Sequence, residues 1–172
     1  MARIIGGITT SHVPAIGGAI AKGLEAEPYW KPFFDSFIPV RKWLAEVKPD
    51  VAVVFYNDHG LNFFLDKMPT LAIGAAPEYR NADEGWGIPT LAPLTGHPAL
   101  SWHVIESLVN EEFDPVTCQE MLVDHAFILP ILCRSSHGIC CGRVCDSATP
   151  PAGRSNISFM LMCWPHLTQL NS

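Results

Sequence analysis

Val51-Ala52-Val53-Val54-Phe55-Tyr56-Asn57-Asp58-His59-Gly60 is the stretch whose reading decides the fold. Its apolar half has the length and β-branched content of a strand covered on both faces. It breaks abruptly into Asn-Asp-His-Gly where such a strand should end. In open α/β sheets, ligands and metals collect beyond the carboxyl ends of strands. The spacing therefore puts His59 where chemistry is usually placed.

Upstream, Ser36 to Lys48 reads as an amphipathic helix. Val40, Trp43, Leu44 and Val47 fall at i, i+3, i+4 and i+7, with Ser36 available as a cap and Pro39 tolerable in the first turn. Earlier still, Arg3 to Thr9 reads as a first strand that ends in Thr10-Ser11-His12-Val13-Pro14, because Pro14 cannot continue a central strand. Strand, helix and strand together form a crossover unit whose two strands run parallel. Parallel strands share one carboxyl edge, so His12 and His59 are expected side by side. Ala15 to Lys22 is a glycine-rich loop or short helix, and Glu25 to Phe34 a packed irregular segment.

Downstream, Pro69 to Ala75 resembles a short strand, and Ala76 to Thr95 a long loop of the kind that forms lids or binding loops. His97-Pro98 opens a helix to about Asn110, and Glu111 to Gln119 connects it to Met121-Leu122-Val123-Asp124-His125-Ala126-Phe127. Beyond Leu132 neither helical nor strand periodicity persists, apart from the short run Ile157 to Cys163.

The 172 residues are enough for one domain, and 48% hydrophobic with 16% charged residues is a globular composition. A net charge of -6 argues against nucleic acid and anionic membranes as partners. No apolar run reaches membrane-spanning length, and the start lacks the pattern of a secretory signal, so the expected location is cytoplasmic. In that compartment the six cysteines are not expected to form a disulfide framework.

Three histidines, His12, His59 and His125, each follow an apolar segment. Two imidazoles with a carboxylate make a facial triad suited to non-haem Fe(II) and oxygen chemistry, and two imidazoles also suit zinc. The plainer reading of any one of them is a strand-end or loop histidine. Asp58 and Asp124 either orient an adjacent imidazole or cap turns and helices. His97 and His103 read as helix-cap or surface residues, and Glu84 and Trp86 as a pocket mouth or a solvated loop. Cys140, Cys141 and Cys145 with His137 have the residue types for zinc but not a standard spacing.

Four motifs in order, Gly7-Ile8-Thr9-Thr10-Ser11-His12-Val13-Pro14-Ala15, Tyr56-Asn57-Asp58-His59, Ala82-Asp83-Glu84-Gly85-Trp86-Gly87 and Val123-Asp124-His125, resemble the class III extradiol ring-cleavage dioxygenases. The likeness is to the protocatechuate 4,5-dioxygenase β-subunit type, with gallate dioxygenases nearby, and covers residues 1–131. It implies an α/β fold with a central, mostly parallel sheet flanked by helices, incomplete at the C-terminal side. It implies Fe(II) held by His12, His59 and a glutamate, with His125 lining the substrate pocket and touching a substrate hydroxyl. Asn57 and Asp58 would support these ligands from behind. The implied reaction is meta cleavage of a protocatechuate- or gallate-like catecholic acid by dioxygen, and the implied partners include a small α subunit or a homo- or hetero-oligomer.

The family's glutamate ligand and a second, catalytic histidine are expected downstream of the matching region. Residues 132–172 do not resemble the family. Their Cys, Arg, Ser and Pro bias reads as the product of a shifted frame, a poorly ordered tail. The competing expectation is an inactive truncated homologue that binds metal weakly or serves only as a subunit-interaction module. A zinc-dependent hydrolase on a similar sheet is a third.

Overall fold

A computed structural model describes residues 3–85 and 87–134, and the backbone of a strand at Ser158–Cys163. The tail outside that strand, including the cluster of His137, Cys140, Cys141 and Cys145, lies outside the described residues, as does Trp86.

The fold is α/β. The described residues form, in order, α1 (Pro14–Ala21), α2 (Lys31–Asp35), α3 (Phe37–Val47), β1 (Val51–Tyr56), β2 (Ala72–Gly74), β3 (Glu78–Asn81), β4 (Leu94–Thr95), α4 (Pro98–Asn110), β5 (Val116–Cys118), β6 (Leu122–Val123), α5 (His125–Arg134) and β7 (Ser158–Cys163). The main sheet has the order β1-β7-β2-β5. β7 runs parallel to β1 and antiparallel to β2, and β2 runs parallel to β5. A smaller sheet, β4-β3-β6, sits beside it.

The helices follow their local chemistry. Pro14 and Pro98 stand in first turns, where a missing N–H costs nothing. His97 caps α4, its Nδ1 accepting from the Leu100 N–H at 3.1 Å. α3 ends at Lys48 in the left-handed region, and Pro49 follows. Ser36 holds the N-cap position of α3 without a side-chain cap bond; its hydroxyl donates to the Phe33 carbonyl of the preceding turn.

α5 is the centre of the core. Ala126, Phe127, Ile128 and Leu129 are all buried. Phe127 packs with Tyr56, Tyr79 and Val123, while Leu129 and Cys133 pack with Ile16, Ile20 and Phe37. α4 covers Ile73 and Ala75 of the sheet region through Ile105.

Three expectations are corrected. Arg3 to Thr9 forms no strand; Ile4 is 96% exposed, and the segment has no ladder partner among the described residues. It touches the body at Gly6, where an added Cβ would lie 2.5 Å from the Trp43 ring of α3. Secondly, β1 is not covered on both faces. Tyr56 is buried, and Ala52 and Val54 pack against the core, but Phe55 is 73% exposed. Thirdly, the loop from Ala76 to Thr95 contains β3 and β4, because Arg80 and Asn81 find partners in β6 and Glu78 and Tyr79 in β4. Among the described residues, no helix is long and apolar enough to cross a membrane.

Candidate metal centre

Three imidazoles converge at the amino end of α5. The ring centroids of His59 and His125 are 4.6 Å apart, those of His12 and His59 5.2 Å, and those of His12 and His125 6.0 Å. Each comes from a different place: His12 from the chain just before α1, His59 from the turn after β1, and His125 from the first residue of α5.

The turn after β1 is built by Asp58, which is 6% exposed. Its Oδ2 accepts from the backbone N–H groups of Gly60, Leu61 and Phe63 at 3.0–3.1 Å, and both oxygens face the Asn62 N–H at 3.1 Å. The Asn62 amide donates to Asp58 Oδ1 at 2.7 Å and to the Leu122 carbonyl at 2.9 Å, tying the turn to β6. Asp58 thus shapes the loop that carries His59, which is the turn-capping one of the two roles expected for it. Asn57 is half-buried just past the end of β1.

The carboxylate that does hold His59 is Asp124, distant in sequence and 1% exposed. Its Oδ2 accepts from the His59 backbone N–H at 3.0 Å and lies 2.9 Å from Nδ1. Its Oδ1 caps α5, accepting from Ala126 N at 2.9 Å and Phe127 N at 3.4 Å. A matching clamp grips His125. Glu84 Oε2 accepts from the His125 backbone N–H at 2.6 Å, and Oε1 lies 2.9 Å from its Nδ1. Each carboxylate binds one histidine through both its main chain and its ring. A carboxylate facing Nδ1 favours the imidazole proton on that nitrogen, an arrangement that leaves the Nε2 lone pair for a ligand.

Sequence adjacency misled here. The pairs Asp58-His59 and Asp124-His125 suggest local partnering, yet the partnering is crossed: Asp124 serves His59, and Glu84 serves His125. The available sign was an acid in the Ala82-Asp83-Glu84-Gly85 loop, read from sequence as part of a pocket mouth or a solvated loop. Glu84 lines a small open pocket with Asn81, Ile88, His125 and Ile128.

The ligand atoms of His59, Asp124 and His125 all lie within 4.8 Å of one another, close enough to share one ion. Because Asp124 is already engaged at both oxygens, the imidazoles are the better donors. Two imidazoles bound to one ion at about 2.1 Å bring their ring centroids to roughly 4.5–5.5 Å. The His12–His59 separation of 5.2 Å and the His59–His125 separation of 4.6 Å both fall in that range, so the ring positions suit either pair as donors.

The family model described as the catalytic LigB subunit of aromatic ring-opening dioxygenase matches residues 6–133. The chain belongs to this family. The match takes in all three histidines and both clamping carboxylates. Among relatives, a 2,3-dihydroxyphenylpropionate/2,3-dihydroxicinnamic acid 1,2-dioxygenase of Photorhabdus laumondii is 29% identical over 125 residues, covering 73% of this chain and 37% of the relative. A second protein of that name, from Dechloromonas aromatica, is 29% identical over 96 residues, covering 54% of this chain and 28% of its own. A gallate dioxygenase of Pseudomonas putida is 42% identical over 50 residues, covering 29% of this chain and 15% of its own. The chain thus spans at most 37% of the length of these curated relatives.

Proposed function

We propose that this chain is the amino-terminal part of an Fe(II)-dependent extradiol dioxygenase acting on a protocatechuate- or gallate-like catecholic acid. One observation carries the reading: His12, His59 and His125 converge within the residues that the family model matches. In this reading His12 and His59 hold the iron. When bound, the iron serves as a template for the catecholic oxygens and dioxygen and as a path for electrons between them.

The chain's own residues supply the rest. Asp124 keeps His59 in one orientation, with the proton on Nδ1. His125, 6% exposed and held by Glu84, offers Nε2 to a hydroxyl of the substrate and can take its proton. The Asp58 turn keeps His59 at a fixed height above the end of β1. A small α subunit or a further copy of the chain would complete the pocket.

The test is anaerobic reconstitution of the purified chain with Fe(II), then addition of catecholic acid and oxygen. A yellow ring-opened product with matching oxygen uptake supports the proposal. Neither product nor uptake removes the activity from this chain.

A second reading is favoured by two observations. The chain covers at most 37% of the relatives named above, and both carboxylates at the site are engaged with histidines. Two imidazoles without a free carboxylate hold an ion weakly, so the chain would be a homologue that binds metal loosely or serves as an interaction module. It predicts that iron is lost on gel filtration, whereas stoichiometric retained iron contradicts it.

A further inference from the structure

We propose that Glu84 is a positioning residue that fixes the tautomer and orientation of His125, and that the segment around it is a strap docked for this purpose. The inference rests on the reading of His125 as the substrate-facing histidine.

The strap is tied at both ends. Ala82 N donates to the Val123 carbonyl at 2.9 Å, extending the β3–β6 pairing by one bond. Leu91 N donates to Asn81 Oδ1 at 3.0 Å, closing the loop on itself. Between these ties Ile88 seats in a notch made by Gly17 of α1. A Cβ at Gly17 would lie 2.5 Å from Ile88 Cγ1 and 3.2 Å from Leu129 Cδ2, so only glycine leaves the space. Asp83 turns the chain by accepting from Gly85 N at 3.0 Å, and Gly85 adopts a φ of +74°. These contacts deliver the Glu84 carboxylate to the first N–H of α5, where a negative charge is favoured.

A purely structural anion at a helix end needs only that N–H. Glu84 does more, because its second oxygen is 2.9 Å from His125 Nδ1. A free neutral imidazole can carry its proton on either nitrogen. An acceptor at Nδ1 holds the proton there and leaves Nε2 to accept from a substrate hydroxyl. The same geometry recurs at Asp124 and His59, which gives an internal control in the same molecule.

The experiment uses the full chain labelled with 15N at histidine. Two-bond 1H–15N correlation at about pH 8, where an ordinary imidazole is neutral, reads each tautomer. In the unsubstituted chain, His125 and His59 should both show the Nδ1–H form. Glu84→Ala and Glu84→Gln should shift His125 toward a mixture and leave His59 unchanged, because glutamine keeps one acceptor where two are used. Glu84→Asp should restore part of the Nδ1–H form. If His125 keeps its single tautomer in Glu84→Ala, or if His59 changes as much as His125, the positioning role is overturned. In chain reconstituted with Fe(II), Glu84→Gln should lower kcat about 10- to 100-fold while KM for the catechol stays nearly unchanged. An unaltered kcat also overturns it. If the unsubstituted chain turns nothing over, the dioxygenase reading alone falls, and the tautomer measurement decides the role of Glu84.

Discussion

Replacing Asp124 by alanine should destabilise the fold and loosen the candidate metal centre together, because one buried carboxylate does both jobs. Oδ1 caps α5, a contact whose loss usually costs about 1 kcal/mol. Oδ2 takes two bonds from His59, and bonds to a charged group are worth about 1.5–3 kcal/mol each when their partners stay buried. The His59 side chain is 31% exposed, so water can replace part of what its ring loses. The alanine variant also escapes the desolvation of a carboxylate that is 1% exposed. The net loss should be about 3 kcal/mol. With a urea slope of about 2 kcal/mol/M, that lowers the unfolding midpoint by roughly 1.5 M. Asp124→Asn keeps the cap oxygen and loses only the acceptor facing His59, so it should cost about half as much. Both variants should weaken metal binding about 10- to 100-fold, read by equilibrium dialysis. An alanine variant within about 0.5 kcal/mol of the parent would refute the reasoning, since that is the range of a neutral surface change. So would an asparagine variant as unstable as the alanine one, because the cap and the clamp would then not be separable.

Three further outcomes are expected. Gly96→Ala should cost about 3 kcal/mol or more in urea unfolding, because its Cβ would run into the Ala76 carbonyl oxygen, a backbone atom that cannot rotate away. Asp58→Ala should cost about 2–4 kcal/mol and displace the His59 resonances, since the turn loses the acceptor for four backbone N–H groups. Stability should fall as pH rises from about 9 to about 11, because burial pushes the Cys118 and Cys133 thiols up from 9.0 to about 11. Across that window the unfolded chain releases protons that the folded chain still holds, so alkali favours unfolding; a urea midpoint flat over this range would contradict it.

Two helices, α3 and α4, were the most legible part of the sequence, whereas α5, with Pro130 inside it, was not read as a helix and α2 was read as an irregular segment. α3 and α4 lie within a residue or two of where periodicity and proline placed them, because their signals are local. The strand at Val51 was equally plain, but its cover was not. Whether Phe55 meets another layer depends on segments far along the chain, and no local pattern encodes that. The strand expected at Arg3 does not form even though β1 is an edge strand, with Ser158–Cys163 on one side and no ladder partner on the other among the described residues; β propensity describes a fit to a pleated surface and does not by itself bring a segment to a sheet edge. β3 and β4 were missed because two or four residues carry no period, and their partners in β6 and in each other define them. At the site, the histidines and Asp124 could be named from sequence, whereas which carboxylate serves which ring could not. Hydrogen bonding across 65 positions between His59 and Asp124, and across 41 between Glu84 and His125, leaves no trace in spacing.

His12 and His59 meet even though the parallel strand pair that was to bring them together does not form, so something else must assemble the centre. The amino end of α5 has that role. His125 is its first residue, Asp124 is its cap, and Glu84 docks on its first free N–H. His59 is tied to that cap, and His12 immediately precedes α1, whose Ile16 and Ile20 pack on Leu129 of α5. The centre therefore depends on the seating of one buried helix more than on the edge of the sheet. Pro130 cannot donate to the turn before it, so α5 relies on side-chain packing for its rigidity. Truncating Phe127, which is fully buried against Tyr56 and Tyr79, should then disturb the His59 and His125 tautomer signals as well as stability. Truncating Ile105, equally apolar but on the buried face of α4 against Ile73 and Ala75, should cost stability and leave those signals in place. The contrast separates a site organised by α5 from one organised by the sheet, because a sheet-edge site would respond to the loss of Ile105 packing on Ile73 at least as strongly.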